Sequence, residues 1–267
     1  MIYMARFLSI SSGSNGNCYY IGNDRTALII DAGIGFRTIK QRLAVSGVDI
    51  MSVEMIFVTH DHVDHIRGLA SLAKRLSVPV YATARLHDAL SKHKDAGQDI
   101  AGSRRVLRTG CMAEMRGVRC VAFEVPHDAA QTLGYWLDFF GTRFVFMTDL
   151  GRVPDYAFEY CRQADYVVIE SNFDVDMLVR GSYPQDLKVR ILGECGHLSN
   201  EDCASAIRRF WHPGLKGIFL CHLSKDNNTP SLAFASTFRA LGAMGLSVPG
   251  DLQLVCLPRS EVFSLEF

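Results

Sequence analysis

Three histidines and two aspartates fall within six consecutive residues, His60-Asp61-His62-Val63-Asp64-His65, directly after the apolar run Val53-Glu54-Met55-Ile56-Phe57-Val58 and Thr59. A strand that ends in such a cluster delivers imidazoles and carboxylates to one point at the rim of a sheet, which is how a metal site is built. His60 and His62 are two apart, so in extended chain both lean to the same side and can share one cation through neutral ring nitrogens. Asp61 has the wrong parity to join them. Asp64 and His65 lie where the chain turns toward the helix-like stretch Ile66 to Ala73, and could face a second cation. Carboxylate plus imidazole suits zinc, manganese or iron better than calcium or magnesium. The plainer reading is a polar loop of solvated histidines, and four potential ligands at this spacing argue against it.

Composition bounds the rest. With 267 residues, 48% of them hydrophobic, the chain can bury a full core as one large domain or two small ones; we read 1–267 as a single domain. Zero net charge does not advertise nucleic acid or a membrane, so any polyanion site must be a local patch. Eight cysteines occur without a Cys-x-x-Cys pair and no secretory signal is evident, which predicts reduced cysteines and a cytoplasmic location. No apolar run approaches the ~18 residues that span a bilayer.

In chain order, strands are expected at Ala5 to Ile10, Cys18 to Ile21 and Ala27 to Ile30. Between the first two lies Ser11-Ser12-Gly13-Ser14-Asn15-Gly16-Asn17, whose backbone N–H groups, with Ser14 and Asn15, could hold a phosphate, although such loops are more often only turns. Asp31 closes an apolar strand and precedes a helix from Gly35 to Ser46; a carboxylate there is placed to orient a metal ligand rather than to bind metal itself. A helix to about Leu76, a strand at Val80 to Ala82, a helix from Ala84 to His93 and a polar stretch from Lys94 to Arg105 follow. His87 and His93 have no partner at ligand spacing and read as packing or surface residues. Later strands end repeatedly in a chemical group: Arg119 to Val125 in Pro126-His127, Arg143 to Met147 in Thr148-Asp149, Ala164 to Ile169 in Glu170, and Gly217 to Cys221 in His222. Together with residues 60–65 these form a coordination set at one edge of a layered sheet structure.

The chain resembles the metallo-β-lactamase fold superfamily through its ordered motifs: Asp31, His60-x-His62-x-Asp64-His65, His127, Asp149 and His222. The resemblance implies an α/β fold, a four-layer αββα sandwich with a binuclear site at one edge of the sheets. It implies that one divalent metal takes His60, His62 and His127 and the other Asp64, His65 and His222, with Asp149 bridging; zinc is the expected ion, with manganese or iron as alternatives. A bridging Asp149, with no cysteine there, resembles the hydrolase and phosphodiesterase branches. Ser12 to Asn17, Glu170-Ser171-Asn172-Phe173-Asp174, Tyr183-Pro184, Gly196-His197-Leu198-Ser199-Asn200 and His222-Leu223-Ser224-Lys225-Asp226-Asn227-Asn228 narrow the resemblance to the YycJ (WalJ) group, which is linked to DNA exonuclease activity on 5′ ends and related to ribonucleases Z and J. No block of about 150 residues interrupts the chain as a second nuclease domain would.

The activity so implied is metal-dependent phosphodiester hydrolysis of DNA, with a metal-bridged hydroxide as nucleophile. Asp64 and His197 are assigned to the chemistry itself. His197 stands outside the metal set and could protonate the leaving oxygen; alternatively, His197 or Ser199 only caps the helix from Ser199 to Phe210. Lys225, Asn227 and Asn228 could meet phosphate groups, as could Arg67. His212, before Pro213-Gly214, reads as structural. The alternatives are a small-molecule phosphodiesterase or other ester or thioester hydrolase, and a metal-binding interaction protein without turnover.

Overall fold

Turn residues shape the N-terminal chain into a meander. Strands β1 (Arg6–Ser11), β2 (Cys18–Gly22) and β3 (Ala27–Ile30) pair antiparallel, and every residue of β2 and β3 is buried. The computed structural model describes residues 4–94 and 98–267. The chain forms two compact units, Met1–Arg116 with Ala129–Gln131 and Pro258–Phe267, and Gly117–Asp128 with Thr132–Leu257.

In the first unit, β3 is followed by helix α1 (Phe36–Val45) and then by β4 (Val53–Phe57), which lies parallel to β3. Parallel neighbours need such a crossover, because the chain must return to the same end before pairing again. Helices α2 (Val63–Ile66) and α3 (Leu69–Leu76) lead to β5 (Val80–Thr83), and α4 (Ala84–Lys92) with a 3₁₀ turn at Gln98–Ser103 leads to β6 (Arg104–Leu107), again parallel. The helices bury Ile39 and Leu43, Leu69 and Leu72, and Leu86 and Leu90 in turn.

Two expectations change here. The helix foreseen up to Leu76 is broken at Gly68, whose N–H donates to Ala32 O at 2.7 Å and where a Cβ would sit 2.2 Å from Ile34 O. The polar stretch from Lys94 to Arg105 holds the 3₁₀ turn and the start of β6, whose polar look reflects exposure of Arg105 and Val106 at the sheet edge; Asp95 to Gly97 lie outside the described residues.

After β7 (Met112–Met115), β8 (Val118–Val125), β9 (Thr132–Phe139) and β10 (Thr142–Met147) run antiparallel in sequence, and β11 (Tyr166–Glu170), β12 (Gly217–Cys221) and β13 (Gln253–Cys256) continue parallel to β10. The parallel strands β11 and β12 are wholly buried, which accounts for their unbroken apolar sequence. Helix α5 (Ala157–Cys161) connects β10 to β11; α6 (Val175–Arg180), α7 (Gln185–Leu192) and α8 (Asn200–Phe210) connect β11 to β12; α9 (Pro230–Gly242) connects β12 to β13. The core of this unit packs Val145, Val167, Ile169, Ile218 and Leu220 with Phe158, Ile207, Phe210 and Leu241. The last strand, β14 (Phe263–Glu266), returns to the first sheet and pairs antiparallel with β1. The two sheets have the orders β14-β1-β2-β3-β4-β5-β6 and β13-β12-β11-β10-β9-β8-β7.

Strand direction positions the chemistry within each unit. β3 and β4 are parallel, so Asp31 and Thr59 to His65 emerge at one edge of the first sheet. β8 and β10 are both antiparallel to β9, and β11 and β12 are parallel to β10, so His127, Asp149, Glu170 and His222 emerge at one edge of the second. The eight cysteines are free, and no helix among the described residues is long and apolar enough to cross a membrane.

Candidate metal centre

In the first unit Asp31 is the hub. It is fully buried with φ 58°, a left-handed conformation that a short polar side chain tolerates. Its Oδ1 accepts from Thr59 N at 2.8 Å, and its Oδ2 accepts from Thr59 Oγ1 and His65 Nδ1, both at 2.7 Å. Because the Thr59 hydroxyl donates to Asp31, it is left to accept from His60 Nδ1 at 3.0 Å. One carboxylate thus fixes the tautomer of two histidines, with the proton on Nδ1 and the lone pair on Nε2, the ring nitrogen a metal takes. The His60 ring lies 4.7 Å from that of His62 and 4.0 Å from that of His65. Asp64 Oδ2 lies 3.6 Å from His65 Nε2.

Asn17, which the sequence reading passed over as a turn residue, completes this half. Its buried Nδ2 lies 2.9 Å from His65 Nε2 and 3.4 Å from Asp64 Oδ2, while its Oδ1 accepts from Gly13 N and from the Tyr19 hydroxyl. Its main chain donates to Asp64 O at 2.7 Å and accepts from Gly33 N at 2.8 Å. Gly33 has to be glycine, since a Cβ there would lie 1.6 Å from Asp64 O. Asp61 is directed elsewhere, its Oδ1 accepting from Ala130 N.

In the second unit His127 donates Nδ1–H to Gly196 O at 2.8 Å, again leaving its lone pair on Nε2, which lies 3.9 Å from Asp149 Oδ1. Burial holds this imidazole below its usual pKa against the opposing pull of Asp149, which favours the neutral form that binds metal. Glu170 is the hub here. Fully buried, it accepts from His197 Nδ1 at 2.7 Å and His222 Nδ1 at 2.8 Å on Oε1, and from Leu150 N and Leu198 N, each at 3.0 Å, on Oε2. Burial pushes its carboxyl up, but the charge and hydrogen bond of His197 and the bond from His222 outweigh this and hold it below the usual range. His197 shifts the opposite way: burial lowers it, and Glu170 and then Asp149 outweigh burial and raise it. Glu170 and His197 therefore form a hydrogen-bonded pair in which the carboxyl is held down and the imidazole up. His222 Nδ1 also lies 3.0 Å from Asp149 Oδ1. Donor atoms of Asp149, Glu170, His197 and His222 all fall within 4.8 Å of one another. The sequence places Glu170 among the strand-end groups but gives it no role of its own; its hold on two imidazoles is seen only in the hydrogen bonds.

Each half taken by itself fits a divalent metal by its donor chemistry. Imidazoles whose Nδ1 protons are held by oxygen acceptors, with carboxylates beside them, are what zinc, manganese or iron takes.

The expected substrate contacts divide. Ser14, Asn15, Arg67 and Lys225 are exposed. Asn227 and Asn228 are buried, 2% and 4% exposed. Asn228 donates to Ser171 O and Asn172 O and exchanges bonds with the Asn200 amide. Ser199 caps α8 by accepting from Asp202 N, whereas His197 is taken up by Glu170. His87 and His212 bond the carbonyls of Arg105 and Ala164, each at 3.0 Å.

A family model described as a β-lactamase superfamily domain matches residues 26–215. Over 242 residues the chain is 35% identical to Exodeoxyribonuclease YycJ of Bacillus anthracis, covering 91% of each chain. It is 33% identical over 249 residues to Exodeoxyribonuclease WalJ of Streptococcus pneumoniae serotype 2, covering 93% of each. The crystal structure of the metallo-β-lactamase fold protein YhfI from Bacillus subtilis superposes with a TM-score of 0.72 at 15% identity, covering 99% of this chain and 100% of that one. At that identity the likeness speaks for the fold.

Proposed function

The chain belongs to the metallo-β-lactamase superfamily, and on that premise we propose that it is a metal-dependent phosphodiesterase, an exodeoxyribonuclease working from DNA 5′ ends. The observation that carries this reading is the Glu170–His197 pair, a buried carboxylate 2.7 Å from an imidazole whose proton it holds, set beside the donor atoms of Asp149 and His222. A proton held next to a metal donor set is what expulsion of an alkoxide from a phosphodiester needs. The relatives named exodeoxyribonucleases over nearly their whole length support DNA as the polymer.

In this reading His60, His62 and His127 would hold one divalent ion and Asp64, His65 and His222 a second, with Asp149 as a further ligand. When bound, such ions supply Lewis-acid stabilisation of the charge that develops on a phosphate. The remaining work falls to the chain itself. Asp31 and Gly196 keep the Nε2 lone pairs of His65 and His127 pointed away from their own hydrogen bonds. Asp64, 22% exposed beside His65, accepts the proton of the attacking water. His197 uses Nδ1 for Glu170, so Nε2 delivers the proton to the leaving oxygen. Ser14, Asn15 and Lys225 contact phosphates of the strand.

A second reading, hydrolysis of a small phosphodiester, is favoured by the zero net charge. A panel of 5′-phosphorylated duplex DNA, single-stranded DNA, RNA and bis(p-nitrophenyl) phosphate separates the two; the nuclease reading expects DNA to be turned over best, with mononucleotides released from the 5′ end. His197→Ala is expected to cut kcat on DNA by about 10²–10⁴-fold while metal content stays unchanged. An unaltered rate would return His197 to a structural role.

A further inference from the structure

Resting on the nuclease reading, we propose that the loop of residues 12–17 and two arginines, Arg67 and Arg259, form a phosphate-binding ledge for the DNA strand beside the Asp64–His65 half of the metal centre. The loop ends at that half: the Asn17 amide lies 2.9 Å from His65 Nε2 and 3.4 Å from Asp64 Oδ2. Arg67 leaves the other side of the same ligand pair, two residues after His65, and is exposed. Its Nη1 donates to Asn15 O at 3.3 Å. That bond uses one of the five N–H donors of a guanidinium and holds the fork over the loop tip.

Arg259 reaches the loop from the C-terminal segment of the same unit. Its carbonyl accepts from Ser12 N at 3.3 Å and Ser11 Oγ at 3.0 Å. Its side chain lies flat along Gly13, where a Cβ would come within 2.8 Å of Nη1 and 3.4 Å of Cγ. Any other residue at position 13 would push the guanidinium off. Glycine is also what φ +154° favours there. Ser14 and Asn15 stand exposed at the tip, and no acidic side chain occurs from Ser11 to Tyr20. A chain of zero net charge can hold a polyanion only through such a local patch, and guanidiniums meet phosphate with paired donors. The ligand class is the phosphodiester backbone, read without regard to base.

The test uses metal-loaded protein and a 3′-fluorescein single strand with cleavage-resistant phosphorothioate linkages, whose Kd is followed by anisotropy against NaCl. Arg67→Gln and Arg259→Gln keep side-chain length and remove the charge. Each is expected to weaken binding about tenfold and to lower the slope of log K against log[salt] by about 0.7, with metal content unchanged. Arg67→Lys should keep the wild-type slope. Variants that bind with wild-type Kd and slope overturn the ledge and leave the nuclease reading intact. Loss of metal in step with loss of binding also overturns it, reducing the arginines to clamps of the loop. Wild-type protein that neither binds nor hydrolyses DNA overturns both.

Discussion

Asn17 joins four stretches of the first unit through one side chain and one peptide: the turn at Gly13, the strand residue Tyr19, the segment at Gly33, and the ligand pair Asp64 and His65. Its Nδ2 donates to the Nε2 lone pair of His65, the atom a metal would take, so amide and ion compete for that nitrogen. Asn17→Ala is therefore expected to raise zinc or manganese affinity in a competition titration against a chelator; a lowered affinity would show that the amide serves the site by shaping the loop. Local sequence hides this role. A Ser/Gly/Asn run reads as a turn whether or not one of its amides faces a ligand, and only the chain from 33 and 64, brought against it, decides. Glu170 was concealed differently. Its position at a strand end was legible, yet its hold on His197, His222, Leu150 and Leu198 depends on residues 20 to 52 positions away.

Among the elements, strand ends were the most legible feature, because an apolar run halted by His, Asp or Glu needs no tertiary knowledge to be seen. Elements whose periodicity is diluted by exposure were not. β6 exposes Arg105 and Val106, and α9 leaves Leu232 and Phe238 exposed, so neither shows a clean apolar face in sequence. The opposite ends of the parallel strands are tied by Asp165, which accepts from Arg143 N and Nε at 2.9 and 3.1 Å and lies 3.2 Å from Lys216 Nζ. Burial pushes its carboxyl up, but these donors outweigh burial and hold it below the usual value. A depressed folded pKa stabilises fully above the unfolded value of about 3.9 and is lost as pH falls through the folded one. Asp165→Asn should therefore lower Tm at pH 7 by about 2–4 °C, the effect of ~1 kcal/mol in a protein of this size. The gap should narrow near pH 3. A gap independent of pH would mean that the loss lies in packing rather than in ionisation.

For the whole molecule, family, fold and both halves of the ligand set could be approached from ordered motifs, whereas the division of labour between two carboxylate hubs, Asp31 in one unit and Glu170 in the other, emerged only from hydrogen-bond partners. The same repeated device, a buried carboxylate holding imidazole Nδ1 protons, gives the chain its claim to metal chemistry. Bound metal is expected to stabilise the folded chain by mass action, by ~2.7 kcal/mol at a hundredfold excess over Kd. Stripping with chelator should accordingly lower Tm, and re-addition should restore it. The most direct measurement follows nucleotide release from 5′-phosphorylated DNA by chelator-treated protein, before and after zinc or manganese is returned. The account predicts no release until the metal is added and recovery afterwards; full turnover by the metal-free protein would contradict it.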